Sequence, residues 1–223
     1  MATQARMEAP PAGAPSRRRE LLRWVAGLGA VTAESLAARE GRGEPSARGA
    51  LGAARQAGHL AGWDPLRELA TLYTVTRAGM RAAGLTGIEP ARVSAASAAH
   101  AAACCSAAVK LERAFPGHAV LGEPAMRAAL RAGDAAWTRR SARRGQRPDL
   151  LLVPEQGARE RPIAVEVELS VKSPQRLEQT CRRWARDREV AGVIYFAPGH
   201  VRGPLTRAAA RARAQEQIIL IDL

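Results

Sequence analysis

Lysine is almost missing from this chain: Lys110 and Lys172 stand against 32 arginines in 223 residues. That bias is what GC-rich coding produces, and it makes the two lysines stand out. Long apolar runs are missing too. No segment approaches the roughly 18 apolar residues of a membrane span, and the first twenty residues lack the apolar stretch of a signal peptide, so the expected location is cytoplasmic, with no membrane partner. Cysteine is scarce and odd in number. Cys104, Cys105 and Cys181 match no zinc-ligand spacing and fit reduced, packed thiols rather than a disulfide framework. Four scattered histidines, His59, His100, His118 and His200, show no ligand spacing and are assigned to packing. Aromatic residues make up 4% of the chain, and Trp24, Trp63, Trp137 and Trp184 are expected as core anchors.

What the chain does have is apolar mass and positive charge. With 47% hydrophobic and 25% charged residues, it can bury one large core or two small ones. The formal net charge is +13, and both halves share it: residues 1–92 carry 13 basic and 8 acidic side chains, residues 93–223 carry 21 and 13. That balance suits a nucleic acid or an anionic surface as partner.

Residues 1–16, rich in Ala and Pro, read as a disordered arm. Leu21, Leu22, Trp24, Val25 and Leu28 form a helical stripe. Thr32 is placed to cap a second helix, and a third runs from Pro45-Ser46 to Gly58. Leu60–Trp63 and Thr71–Val75 then read as two strands. Three helices and a hairpin make a winged helix-turn-helix over residues 17–92. Ser94–Phe115 has no internal Gly or Pro and predicts a connecting helix of about 33 Å, within a 93–118 segment. From 119 to 223, short β-rich runs alternate with helical ones, which predicts an α/β domain and an α+β chain overall. Its strands are read at Pro148–Val153, Ile163–Ser170, Val190–Phe196 and Ile218–Leu223, with helices from Pro174 and Pro204. The polar, turn-rich residues 154–162 predict an antiparallel hairpin between the first two of those strands.

The chemistry concentrates there. Side chains alternate along a strand, so Glu166 and Glu168 share a face and can meet Asp149 on the neighbouring strand. Three converging carboxylates repel unless a cation sits among them, and an all-oxygen cluster suits Mg²⁺ or Mn²⁺. The polar face of a half-exposed sheet would place acids at the same positions. Lys172 lies four residues beyond Glu168, about 13 Å if the strand stays extended, which is too far to act with it. That spacing assigns Lys172 to phosphate contact beside the helix begun by Ser173-Pro174, with a catalytic part only if the strand turns early.

Pro148-Asp149, then Glu166-Val167-Glu168, then a helix and another strand, resembles the core of the PD-(D/E)xK restriction-endonuclease-like nuclease superfamily. With Leu72 to Gly79 at the hairpin exit and the Glu166 to Ser173 block, residues 17–223 resemble the replication-relaxation family of plasmids and other mobile elements. The resemblance implies Asp149 and Glu166 as ligands of Mg²⁺ or Mn²⁺ and a metal-dependent DNA endonuclease. Glu168 departs from it, standing where most of the superfamily carry lysine. The alternative is a transcription or replication regulator without catalysis, whose second domain serves DNA grip or dimerisation.

Five arginines, Arg139, Arg140, Arg143, Arg144 and Arg147, precede Pro148-Asp149 and are read as a phosphate-holding rim or a solvated loop. On the third helix, Arg48, Arg55 and Gln56 are candidates for duplex DNA contact, with Arg42 and Arg67 flanking. Gln175, Gln179 and Glu123 are weaker candidates near the acidic site. Duplex DNA and a second copy of the chain are the expected partners.

Overall fold

A helix whose apolar residues recur three and four apart must bury one stripe, and the first three helices here bury theirs against one another. The computed structural model describes residues 14–64, 69–133, 147–154 and 161–223. Helix α1 (Ala14–Leu28) starts three residues ahead of the predicted boundary, inside the segment read as a free arm. It buries Leu21, Leu22, Trp24 and Val25. Thr32 caps α2 (Ala33–Glu40), its hydroxyl oxygen accepting the Ser35 N–H at 3.1 Å. Gly41, at φ +65°, ends that helix in the left-handed region where a Cβ is costly. Helix α3 (Glu44–Gln56) has Pro45 in its first turn and buries Ala47, Leu51 and Ala54. Strands β1 (Leu60–Trp63) and β2 (Leu72–Val75) pair antiparallel, with Leu60 opposite Val75. A short α4 (Arg77–Ala82), absent from the sequence reading, follows under a Thr76 cap.

Helix α5 (Ala95–Ala114) is more than a spacer. Cys105 and Val109 enter the core built by α1 to α3, while Ala107, Ala108 and Leu111 enter a second core against the large sheet. A helix buried on both sides needs small residues all round, which is why its alanines show no apolar stripe. Glu112 fastens it to the first helices: Trp24 Nε1–H and Arg39 Nε–H each donate to its carboxylate at 2.9 Å.

The second sheet runs β3-β4-β5-β6-β7. β3 (His118–Gly122), β4 (Leu150–Pro154) and β5 (Ile163–Val167) form an antiparallel meander, so the hairpin expected across residues 154–162 is present. α6 (Glu123–Ala132) follows β3 directly. Helix α7 (Pro174–Ala185) returns the chain to β6 (Val193–Phe196), parallel to β5, and α8 (Gly199–Arg211) leads to β7 (Ile218–Ile221), parallel to β6. Among the described residues this is a mixed α/β chain of eight helices and two sheets. Val165, Val167, Ile194 and Phe196 pack toward α5, whereas Ala164, Val193 and Tyr195 share a core with Leu177, Cys181 and Trp184 of α7 and Val201 and Leu205 of α8.

Three local expectations change. α8 begins at Gly199, so Pro204 lies inside it rather than starting it; the buried stripe of Val201, Leu205, Ala208 and Ala209 outweighs the lost backbone bond. Trp63 is 36% exposed at the hairpin, although Trp24 and Trp184 are core residues as expected; Trp137 lies outside the described residues. β5 ends at Val167, three residues short of the predicted Ser170. No described helix is long and apolar enough to cross a membrane.

The two cores meet where β3 ends. A Cβ on Gly122 would sit 2.7 Å from the Gly27 carbonyl oxygen and 2.7 Å from the Leu28 Cα, both backbone atoms of α1. Gly122→Ala is therefore expected to destabilise the protein by roughly 1–3 kcal/mol. Its melting temperature by circular dichroism should fall clearly below that of Gly133→Ala, where no described atom lies within 4 Å of an added Cβ and the left-handed backbone resists a side chain. Equal melting temperatures would show that α1 moves aside freely.

Candidate functional site

Continuing the β4–β5 register one step beyond Leu150 opposite Val165 sets Asp149 opposite Glu166. Glu166 itself pairs with Tyr195 of β6, on the sheet face covered by α7. Glu168 follows at the strand end, 7% exposed, its N–H donating to the Phe196 carbonyl at 2.9 Å. That bond closes the ladder, because β6 also ends at Phe196. Beyond it the backbone bends at Ser170, and Ser173 caps α7 through the Arg176 N–H.

This early turn corrects the separation expected for Lys172. The chain does not stay extended, and Lys172 Nζ forms an ion pair with the Glu168 carboxylate. The structure thus brings Asp149, Glu166, Glu168 and Lys172 to one end of the inner strands β4 and β5. Burial first, and then the Asp149 charge, push the Glu166 carboxyl up to about 8, with Lys172 opposing and Glu168 adding to the rise. Trp184 Nε1–H favours the charged form from nearby, but its geometry falls short of a hydrogen bond: that nitrogen and the Tyr195 hydroxyl are both buried without a hydrogen-bond partner among the described residues. The Tyr195 phenol is itself driven upward by burial and by Glu166. Two unpartnered polar atoms beside a carboxyl that resists ionising describe a polar pocket short of positive charge and of hydrogen-bond partners.

Asp149 is held from the other side. Its Oδ2 accepts the Val167 N–H at 2.8 Å and lies 3.2 Å from His100 Nε2. His100 is raised above its ordinary pKa chiefly by that hydrogen bond to Asp149, against the opposing effect of burial. One turn along α5, Cys104 Sγ lies 3.5 Å from His100 Nδ1, its thiol pushed well above the ordinary range by burial and by Asp149. The packing role read for all four histidines and all three cysteines therefore holds poorly for His100 and Cys104. The i, i+4 spacing of the two was visible, but in an Ala-rich helix nothing marked which face would meet Asp149.

A cleft of about 350 Å³ opens over this point, lined by His100, Cys104 and Asp149 together with Arg92 and Arg147. Through Ala91, Arg92, Glu123 and Pro124 it continues into a second cleft of about 620 Å³, lined by Arg77, Arg127 and Arg131. Glu123 pairs with Arg127 at 2.5 Å and Arg131 with Glu89 at 3.2 Å, so the groove is basic but partly compensated. Gln175 and Gln179 line a different groove, facing Arg207 and Arg211.

Of the expected nucleic-acid contacts, Arg48, Arg55 and Gln56 are exposed on α3. Arg48 pairs with Glu44, and Arg42 pairs with Glu40 at 2.7 Å while its Nη1 donates to Ser46, so both are engaged locally. The Arg55 side chain lies over Gly62 of β1, where an added Cβ would come within 3.2 Å of it. Arg147 is exposed beside Asp149. Arg67, Arg139, Arg140, Arg143 and Arg144 lie outside the described residues. Comparison with family models, with characterised proteins and with solved structures returned no match.

Proposed function

We propose that this protein binds duplex DNA and cleaves phosphodiester bonds with a hard divalent cation, Mg²⁺ or Mn²⁺, held by Asp149, Glu166 and Glu168. The observation that carries the reading is the gathering of three carboxylates and Lys172 at one end of the inner strands β4 and β5, beside a groove lined by arginines. The chemistry of the donor set fits such an ion, and the carboxylates must close on it as it binds, because among the described residues the group whose ligand atoms lie within 4.8 Å of one another is His100, Cys104 and Asp149. The donors of the three carboxylates are all oxygen, and a cation would relieve both the burial of the Glu166 carboxyl and its repulsion by Asp149, which in that order hold its pKa up. When bound, the cation supplies acidity to a water and charge to the scissile phosphate. The chain does the rest: Lys172, released from Glu168, holds a phosphate oxygen, and Arg92 and Arg147 guide the strand toward Asp149.

Under this reading residues 17–92, three helices and a hairpin, act as a winged helix presenting Arg48, Arg55 and Gln56 of α3 to the duplex, and residues 119–223 act as a PD-(D/E)xK-like domain. A cytoplasmic protein of a plasmid or other mobile element, related to the replication-relaxation family, belongs to the same proposal. The deciding experiment is nicking of supercoiled plasmid by the purified protein with Mg²⁺, with Mn²⁺ and with EDTA. Cleavage confined to the first two supports the enzyme.

One observation favours a second reading. Glu168 is already paired with Lys172, and Asp149 with His100 and the Val167 N–H, so much of the acidic charge is compensated within the chain. A regulator without catalysis, which grips DNA or pairs with a second copy of itself, needs no more. Binding without nicking in any divalent cation selects it.

Both readings predict that Arg92→Ala and Arg147→Ala each weaken duplex binding uniformly across sequences. Each should lower the salt slope of log K by about one phosphate contact. A fluorescence-anisotropy titration across salt concentrations measures this, and an unchanged slope in both variants removes the groove from the DNA path.

A further inference from the structure

We propose that His100, Cys104 and Asp149 form a second cation position, selective for a borderline-soft ion such as Zn²⁺ or Co²⁺ and separate from the all-oxygen cluster. One ligand atom from each residue lies within 4.8 Å of the other two. His100 Nε2 is 3.2 Å from Asp149 Oδ2 and 4.0 Å from Cys104 Sγ. A tetrahedral zinc site, with metal bonds of about 2.0–2.1 Å to nitrogen and oxygen and about 2.3 Å to sulfur, requires ligand separations of about 3.3 and about 3.6 Å. Two edges of the triangle thus stand within about 0.4 Å of a zinc face before any ion arrives, and the third, from the Asp149 carboxylate to Cys104 Sγ, lies within 4.8 Å.

The elements hold them there for reasons independent of each other. His100 and Cys104 are one turn apart on the long helix α5, and Asp149 precedes β4. The Val167 N–H fixes Asp149 Oδ2 at 2.8 Å, the kind of outer hydrogen bond that orients a ligating carboxylate. His100 and Asp149 remain partly open, with side chains 39% and 24% exposed, and all three line the cleft of about 350 Å³. The fourth position therefore faces the groove that carries Arg92 and Arg147, where a water or an anionic ligand fits.

The same three residues also have the order of a nucleophile, a base and an orienting acid. Their charge environment speaks against that use. Reactive thiols lie in electropositive surroundings, whereas Cys104 is buried and faces the carboxylates of Asp149 and Glu166. Negative charge suppresses a free thiolate and attracts a cation. Thiolate and imidazole select Zn²⁺ or Co²⁺ over Mg²⁺, so the two neighbouring clusters differ in the metal they take, with Asp149 common to both.

The test needs neither DNA nor cleavage. Full-length protein stripped with EDTA and kept reduced is titrated with Co²⁺ and then with Zn²⁺. The expected result is a near-ultraviolet thiolate-to-cobalt charge-transfer band, together with the intense visible bands of tetrahedral cobalt, saturating at one equivalent and bleached by Zn²⁺. Cys104→Ser should abolish the charge-transfer band. His100→Gln, at a ring 39% exposed, should weaken Zn²⁺ binding by at least about tenfold. Glu166→Gln, in the oxygen cluster, should keep the band. Absence of the band in the wild type overturns the proposal, and so does its survival in Cys104→Ser, which would assign it to Cys105 or Cys181. Loss of the band in Glu166→Gln would merge the two clusters and overturn a separate site. A protein that shows the band yet never nicks DNA keeps this site and loses only the nuclease reading.

Discussion

Glu166→Ala is expected to abolish metal-dependent nicking while leaving duplex binding intact. The expected loss is roughly 10²–10³-fold or more, comparable to removing a principal stabiliser of transition-state charge. Glu166 is chosen because burial and Asp149 raise its carboxyl while Lys172, which opposes that rise, is already paired with Glu168, whereas Asp149 has His100 and the Val167 N–H. Lys172→Ala is a useful companion. It frees Glu168 rather than removing a carboxylate, so metal binding persists and the rate alone falls. Plasmid nicking read beside anisotropy for DNA and calorimetry for Mn²⁺ separates these outcomes. Full nicking by Glu166→Ala would move any cleavage away from this end of β5.

A second large effect concerns stability and pH in EDTA. The Glu166 carboxyl titrates near its ordinary value of 4.5 in the unfolded chain and is pushed up to about 8 in the folded one. Between those values the folded state keeps a proton that the unfolded state has released, so stability falls as pH rises from about 4.5 to about 8 and then levels off. Glu166→Gln removes that loss. The variant should be the more stable protein at pH 8.5, by on the order of 2 kcal/mol or several degrees in Tm, and nearly equal to the wild type at pH 4.5. The full shift is discounted here because Lys172 can move toward Glu166. His100, whose pKa is also raised, loses its own stabilising contribution as pH rises through the same region, but it does so in both proteins. The difference between the two therefore isolates Glu166. Parallel melting curves at all pH values would show that the carboxyl is ionised in the folded protein without cost. Added Mn²⁺ should raise the wild-type Tm at pH 8 and leave the Glu166→Gln variant nearly unchanged, since only an ion bound to the folded state stabilises it.

By itself the sequence determined the local elements and the acidic pair. Period and punctuation are short-range properties. Leu21 to Leu28, the Thr32 cap, the Pro45 helix start and the β-rich runs around Leu150 and Ile163 each carry their signal within a few residues. Asp149 and Glu166 were legible because alternation along a strand and one hairpin suffice to bring them together. Tertiary structure alone decided the rest. Where β5 stops depends on where β6 stops offering carbonyls, and this set the turn that returns Lys172 to Glu168. Pro204 could remain inside a helix because buried contacts along α8 outweighed a local rule. His100 and Cys104 reach Asp149 only because α5 lies across the sheet, and Arg77, Arg92 and Arg131 line one groove although they come from separate segments. Such contacts join residues tens of positions apart, and the burial that selects among them is a property of the assembled chain rather than of any stretch within it.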